Sequence, residues 1–271
     1  MLLHEPPLHL ALVNNIMINK KLLNDIINKT PHNHVIVFDL DSTLFDVSYR
    51  SQAILNHFIE NQEYKKKYSE IDVLKQVQIQ SQDWGLKSAV QRCGLRLSAA
   101  LINDLKSYWQ KHFFSNEFLE FDVAYPDAHR FLNHLEKNGH EIFYLTGRDR
   151  KNMETGTIKS LLKNNFPLTN ENRLIMKAEK GSIEDEDFKV IELRNLYSRF
   201  TKNKMNNAEI VMTNNTTILK NKIIFFENEP VIIHKVLAAL PQVEIIWLDT
   251  THSGKAPPPT HLATMIGHYE F

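Results

Sequence analysis

The chain has 271 residues, 42% of them hydrophobic and 24% charged, enough for one large core or a core plus a smaller module. Lys and Arg total 32 and Asp and Glu total 32, so no net field steers the protein to nucleic acid or membrane, and neither is expected as a partner. The one cysteine, Cys93, excludes an internal disulfide, and no apolar run is long enough to span a bilayer, so a cytoplasmic protein is expected.

Residues 1–33 read as an N-terminal helical extension. Pro6 and Pro7 stand near its start, and Leu8, Leu12, Ile16, Leu22, Leu23, Ile26 and Ile27 are spaced to pack on a body. The apolar stretch 8–13 is short for a signal-peptide core, and Asn14 and Asn15 follow it without a small-residue cleavage pattern. The run Val35–Phe38 is β-branched and aromatic, as a fully buried strand requires. From 47 to 122 no strand is evident. Helical spacing recurs there around 53–59, 73–79 and 99–113, and the interval is far too long for a plain loop. It reads as a helical cap insertion over the C-terminal edge of the sheet. Lys65, Lys66 and Lys67 read as a solvated helix face, and Cys93 as a structural thiol without a partner for nucleophilic chemistry.

Short apolar runs resume at 142–145, 174–176, 223–226 and 243–248, making five with Val35–Phe38. Phe131, Leu132 and Leu135 precede the second run with helical spacing, Val190, Leu193 and Leu196 the fourth, and Ile232, Val236 and Leu240 the fifth. Strands alternating with amphipathic helices specify an α/β fold, a doubly wound, Rossmann-like parallel sheet of five strands flanked by helices. Its core comprises 34–46 and 123–250. Gly139 is expected to end the helix before the second strand in a left-handed conformation. Residues 197–221, rich in Asn, Lys and Thr, read as a surface excursion. Residues 251–271, with Pro257, Pro258 and Pro259, read as an extended C-terminal tail.

At the end of the first strand stand Asp39, Asp41 and Thr43. Carboxylates at the C-terminal end of a buried strand sit where open α/β sheets bind ligands. Two carboxylates two residues apart repel each other, which calls for a cation, a shared proton or a reacting substrate.

The stretch Phe38-Asp39-Leu40-Asp41-Ser42-Thr43-Leu44 resembles the first motif of the haloacid dehalogenase-like (HAD) hydrolase superfamily. The resemblance implies that Asp39 is a nucleophile forming an aspartyl-phosphate and that Asp41 acts as general acid and base. An aspartate at that second position selects phosphate-ester hydrolysis or phosphoryl transfer over dehalogenation. Ile142-Phe143-Tyr144-Leu145-Thr146-Gly147-Arg148 resembles the second motif, in which the Thr146 hydroxyl and backbone N–H groups around Gly147 bind phosphoryl oxygens. Arg148 reads either as a partner for a substrate anion or as a structural salt bridge.

For the family's lysine, Lys189, which follows the acidic run Glu184-Asp185-Glu186-Asp187, is preferred. Lys177, at the end of the third strand, stays as a phosphate-binding candidate. The acidic run itself reads as a solvated first helical turn. Ile223-Ile224-Phe225-Phe226-Glu227-Asn228-Glu229-Pro230 stands where the family places acidic metal ligands, usually two aspartates or Asp-Asn. Glu227 departs from that pattern, and Asn228 is a tolerated variant. The implied cofactor is Mg2+, held by Asp39, the Asp41 backbone carbonyl and Glu227 or Asn228, with Glu229 as a further candidate through water. His252 reads as a loop brace and is not assigned a catalytic role.

Together the four motifs imply a Mg2+-dependent phosphatase acting on a small phosphorylated metabolite, with the cap closing over it. The alternatives are a phosphatase for nucleic-acid ends or a phosphoprotein, a phosphomutase or phosphotransferase using the same residues, and a non-catalytic binding protein on the same fold. The balanced charge argues against nucleic acid, and the presence of both aspartates argues against loss of catalysis.

Overall fold

A computed structural model of the chain describes residues 23–24, 34–170, 173–205, 211–213, 216–218 and 222–269. Strand β1, Val35–Phe38, is buried along its whole length. Ile36 and Phe38 join an apolar cluster with Phe131, Leu132 and Leu161, whereas Val35 and Val37 join one with Phe188, Leu193 and Val236. That alternation is the two-residue period of a strand, and burial of both faces is why the run is continuously apolar.

After β1, strand β2 (Phe45–Asp46) pairs antiparallel with β3 (Val123–Ala124), so the chain leaves and re-enters the body at adjacent points. Between them lie helices α1 (Ser48–Glu60), α2 (Gln62–Lys67), α3 (Gly85–Arg92) and α4 (Ala99–Phe113), with 3-10 turns at Ile71–Gln76 and Asn116–Phe121. Side-chain oxygens start two of these helices. Asn61 Oδ1 accepts the Glu63 and Tyr64 N–H groups before α2, and Ser98 Oγ accepts the Leu101 N–H in α4. The helices enclose their own apolar cluster, including Ile54, Phe58, Leu74, Leu101 and Leu105.

The body then continues through α5 (Ala128–Lys137), β4 (Glu141–Asp149), α6 (Arg150–Lys163), β5 (Leu174–Lys177) and α7 (Asp185–Met205). A short antiparallel ribbon, β6 (Val211–Thr213) and β7 (Thr216–Ile218), precedes β8 (Ile223–Glu227), α8 (Pro230–Ala239), β9 (Glu244–Leu248) and β10 (Thr264–Ile266). The main sheet has the order β10-β9-β8-β1-β4-β5 with every neighbouring pair parallel. Its central strand is therefore flanked by β8 and β4, and residues following all three strands converge at one edge. Gly139, just past α5, takes φ 82°, the left-handed conformation expected of it.

Three expectations need correction. The sheet has six strands and not five, because Thr264–Ile266 pairs with β9. A three-residue edge strand offers too short a pattern to read, and the prolines before it suggest only extension. Residues beyond 250 are not simply a surface tail either: Tyr269 is fully buried among Phe131 and Phe226, and its hydroxyl donates to the Thr43 carbonyl (3.1 Å). The expected excursion at 197–221 instead prolongs α7 to Met205 and contains the β6–β7 ribbon, its remaining residues lying outside those described. Of the N-terminal extension only Leu23 and Asn24 are described; both are helical, and Leu23 is buried in the main core. Among the described residues no helix is long and apolar enough to cross a membrane.

Candidate active site

Asp39 follows β1 at the position where the alternation points toward the α7–α8 layer. In that layer Lys189 sits between Phe188 and Val190, both packed in the apolar cluster. The alternation of β8 does the same for Glu227, two residues beyond the buried Phe225, and the register of β1 with β8 brings it beside Asp39, whose N–H donates to the Phe226 carbonyl (3.0 Å). Lys189 Nζ lies between the two acids, 2.6 Å from Asp39 Oδ1 and 2.6 Å from Glu227 Oε2. Glu227 Oε1 accepts the backbone N–H groups of Asn228 (3.0 Å) and Glu229 (2.9 Å).

These three charged groups are all buried. Two carboxylates face one ammonium, so one negative charge has no partner. Burial raises the Asp39 carboxyl above its ordinary range despite the adjacent ammonium. It likewise pushes Glu227 up to about 7. The Lys189 ammonium is held well above the usual lysine range by the two acids, against its own burial.

Asn228, the next residue, accepts the Thr43 hydroxyl at Oδ1 (3.1 Å) and donates from Nδ2 to the Thr251 carbonyl (2.6 Å). Glu229 turns away to the loop after β9, accepting Ser253 N–H (2.8 Å) and Ser253 hydroxyl (2.6 Å). His252 Nδ1 accepts the Gly254 N–H (3.2 Å), a contact within that loop.

Thr146 ends the regular part of β4, and the pairing with β5 shifts register between Thr146 and Asp149. Such a bulge re-aims the chain at a strand end. The Thr146 hydroxyl oxygen accepts the Arg148 N–H (3.3 Å). A Cβ on Gly147 would lie 2.8 Å from the Asp185 carboxylate, so a side chain there would displace Asp185. Asp185 in turn pairs with Lys177, whose Nζ also donates to the Ile183 carbonyl (2.6 Å). Lys177 thus braces the turn into α7, and among the described contacts neither it nor Thr146 bonds to Asp39.

Asp41 lies in a second cluster. Its Oδ1 accepts Nη2 of Arg50 (2.6 Å) and Nη2 of Arg148 (2.6 Å), and Oδ2 accepts Arg148 Nε (3.3 Å). Both guanidinium groups also bind Asp122: Arg50 through Nε (2.6 Å) and Nη2 (3.0 Å), Arg148 through Nη2 (2.7 Å). The two arginines hold the Asp41 carboxyl far below the ordinary range, overcoming its burial. Arg50 and Asp122 have no place in the motifs. One signal for Arg50 was available: it stands on the same face as Ile54 and Phe58, at helical spacing, where a charge needs a buried partner.

The carboxylates of Asp39 and Glu227 leave one negative charge uncompensated, and with the Asn228 amide oxygen and the Asp41 carbonyl they would offer oxygen donors only. That set fits a hard divalent cation in donor type and charge. Among the described residues no three His, Cys, Asp or Glu side chains converge as a ready-made cage. Mg2+ commonly uses only one or two carboxylates and keeps water in its remaining positions.

Residues 34–167 match the family model described as a haloacid dehalogenase-like hydrolase, so this stretch carries a hydrolase domain of that kind. Solved structures are similar at low identity. A predicted phosphoglycolate phosphatase from Haemophilus somnus 129PT is 13% identical, covering 88% of this chain and 95% of that one with a TM-score of 0.48. A HAD-superfamily hydrolase of subfamily IA from Geobacter sulfurreducens PCA is 11% identical, covering 88% and 93% with a TM-score of 0.46. A HAD-superfamily hydrolase from Ehrlichia chaffeensis is 12% identical, covering 88% and 94% with a TM-score of 0.45. No curated protein matches the sequence.

Proposed function

We propose that this hydrolase is a Mg2+-dependent phosphatase that cleaves a small phosphorylated metabolite through an aspartyl-phosphate on Asp39. The observation that carries the reading is the buried Asp39 carboxylate held 2.6 Å from Lys189 at the C-terminal edge of the sheet. Lys189 orients the nucleophile and offsets charge on the incoming phosphoryl group. Asp39 attacks phosphorus, an acyl-phosphate forms, and the substrate oxygen departs. Water then attacks the same phosphorus, the bond from phosphorus to the Asp39 oxygen breaks, and the free carboxylate returns with inorganic phosphate.

Asp41 is placed to exchange protons with the leaving oxygen and with the attacking water. Between Arg50 and Arg148 it is ionised, the form that can accept a proton, although the two guanidiniums weaken it as a base. The Thr146 hydroxyl and the N–H groups around Gly147 receive phosphoryl oxygens at the neighbouring strand end. Asp39, the Asp41 carbonyl and Asn228 or Glu227 would hold Mg2+, which when bound neutralises phosphoryl charge. The helices of 47–122 serve as a cap that excludes bulk water over a substrate of modest size.

A panel of phosphorylated metabolites assayed with and without Mg2+, wild type against Asp39→Asn, tests the reading. Metal-dependent release of phosphate by wild type alone supports it. Equal, metal-independent release by both proteins overturns it.

A further inference from the structure

We propose that Arg50 is a positioning residue for the reaction: carried on the first helix of the inserted module, it fixes the Asp41 carboxylate when that module is docked on the body. The inference rests on the phosphatase reading for what Asp41 does. Its geometric basis stands apart from that reading.

Of the four charged groups in the cluster, Arg50, Arg148 and Asp122 are essentially inaccessible, while 29% of the Asp41 side chain is exposed. Asp41 is therefore the member that faces the space a substrate enters. Arg50 has no freedom to follow it. Its Nε and Nη2 are held by Asp122, Nη1 donates to the Phe113 carbonyl (3.3 Å), and its guanidinium carbon lies 4.2 Å from the centre of the Phe113 ring. Arg148 is fixed in the same way by Asp122 and by the Thr157 hydroxyl (3.3 Å). Arg148 grips both oxygens and Arg50 adds a short bond to Oδ1, so the two rigid guanidinium forks together set the position and plane of the carboxylate.

The forks come from different parts of the molecule. Arg148 belongs to β4 of the body. Arg50 belongs to α1, and its anchors Phe113 and Asp122 stand at the end of α4 and just before β3. Other contacts hold this module against the body: Gly156 N–H donates to Asn116 Oδ1 (2.6 Å), Lys163 Nζ donates to the Glu120 carbonyl (2.6 Å), and the Thr251 hydroxyl donates to the Ser81 carbonyl. When the module moves away, Arg50 leaves with it, and Asp41 keeps only Arg148. Arg148 alone would hold Asp41 through one short bond (2.6 Å) and one long one (3.3 Å), and a small misplacement of a proton-transfer group is costly to the rate.

A buried arginine between two aspartates would also stabilise the fold, so the test has to separate the two roles. The double variant Arg50→Met with Asp122→Asn removes one positive and one negative charge, and leaves Arg148 on Asp41. Wild type, the double variant and Arg50→Lys are compared by kcat and KM for p-nitrophenyl phosphate with Mg2+, by melting temperature, and by amide hydrogen exchange over 39–46. We expect the folded double variant to lose about 10²-fold in kcat with KM changed less than about threefold, and to exchange faster over 39–46. Arg50→Lys should restore only part of kcat, because an ammonium lacks the planar fork.

Wild-type kcat together with wild-type exchange in the folded double variant overturns the proposal. Should that variant fail to fold, Arg50→Lys decides: wild-type kcat overturns the proposal, and a lowered kcat at unchanged KM sustains it. Absence of Mg2+-dependent hydrolysis in wild type, with this substrate and the metabolite panel, would defeat the phosphatase reading instead. Exchange over 39–46 then decides alone, and no change on removing Arg50 overturns the positioning role.

Discussion

Asp39 and Asp41 are separated by one residue, yet they belong to charge clusters built on opposite plans. Around Asp39 two buried carboxylates share one ammonium, and a negative charge is left over. Around Asp41 two carboxylates meet two guanidiniums, and the charges cancel. Burial consequently raises Asp39 and Glu227, whereas the arginine pair lowers Asp41. An unbalanced buried cluster is poised to take up a proton or a cation. A balanced one resists change and fixes geometry. On the phosphatase reading, attack on phosphorus belongs with the first kind, and the second holds the proton-transfer carboxylate of Asp41 in place.

The division is broken most sharply at Asp39. If Asp39 is the nucleophile of the proposed phosphatase, Asp39→Asn should lower kcat by about 10⁴-fold or more, measured as phosphate release at saturating Mg2+. The same change deletes half of the uncompensated acid pair, so the metal-free protein should melt no lower than wild type. A large loss of melting temperature would show that Asp39 is a structural group. Lys189→Met strikes the same cluster from the other side. It leaves two buried carboxylates without a cation, and chemical denaturation should show a loss of about 3–5 kcal/mol. Adding Glu227→Gln to that variant should recover much of the stability and none of the activity. No recovery would mean that Lys189 stabilises through packing and not through charge.

In the unbalanced cluster Asp39 was legible as the end of a buried strand, whereas Lys189 and Glu227 were reached through the resemblance to the family's later motifs. Val35, Val37 and Asp39 share one face of β1, Phe225 and Glu227 share one face of β8, and Lys189 sits among apolar neighbours of α7. The structure explains those placements by the periodicity along each element. Of the balanced cluster Asp41 was legible, and Arg148 as a salt bridge in one of its two readings, but Arg50 and Asp122 were not. Its members come from a loop, α1, the segment before β3 and the bulged end of β4, and only the folded chain brings Arg50 within 2.6 Å of Asp122. Lys177 shows the limit of position alone. It ends β5 much as Asp39 follows β1, but β5 is the edge strand, and its ammonium meets Ile183 and Asp185. The strand β10 was missed because its three residues supply less than two periods of alternation.

The two clusters should also respond to pH with opposite signs in the metal-free protein. Glu227 is raised from 4.5 to about 7 on folding. Its contribution to stability is fully present below the unfolded value and is lost as pH rises through about 7. Asp41 is lowered on folding, so its contribution is present above about pH 4 and is lost in more acid solution. Melting curves in EDTA should therefore fall between pH 5 and 8, and fall again below pH 4. Glu227→Gln should flatten the neutral limb and Asp41→Asn the acid limb. With Mg2+ present the neutral limb should weaken or reverse, because the ion binds the deprotonated acids. An unchanged neutral limb in Glu227→Gln would remove the assignment of that titration to Glu227.

The smallest effect is expected at Gly156, on the seam between the inserted helices and the body. A Cβ there would approach Leu119 Cδ1 to 2.8 Å, Asn116 Oδ1 to 2.9 Å and the Asn116 carbonyl oxygen to 3.0 Å. Leu119 can rotate, but the backbone oxygen cannot. Gly156→Ala gains about 1 kcal/mol of intrinsic helix preference, and the misfit costs about 1–3 kcal/mol, so a net loss of about 1 kcal/mol is expected from the difference. The displaced turn, Asn116–Phe121, leads directly into Asp122. The variant should therefore loosen the Arg50 and Asp122 side of the Asp41 cluster while leaving Lys189 between Asp39 and Glu227. A modest fall in kcat with the neutral pH limb of metal-free stability intact is the expected pairing. If that limb shifted as well, the two clusters would be mechanically coupled through the sheet edge, and the division between them would not hold.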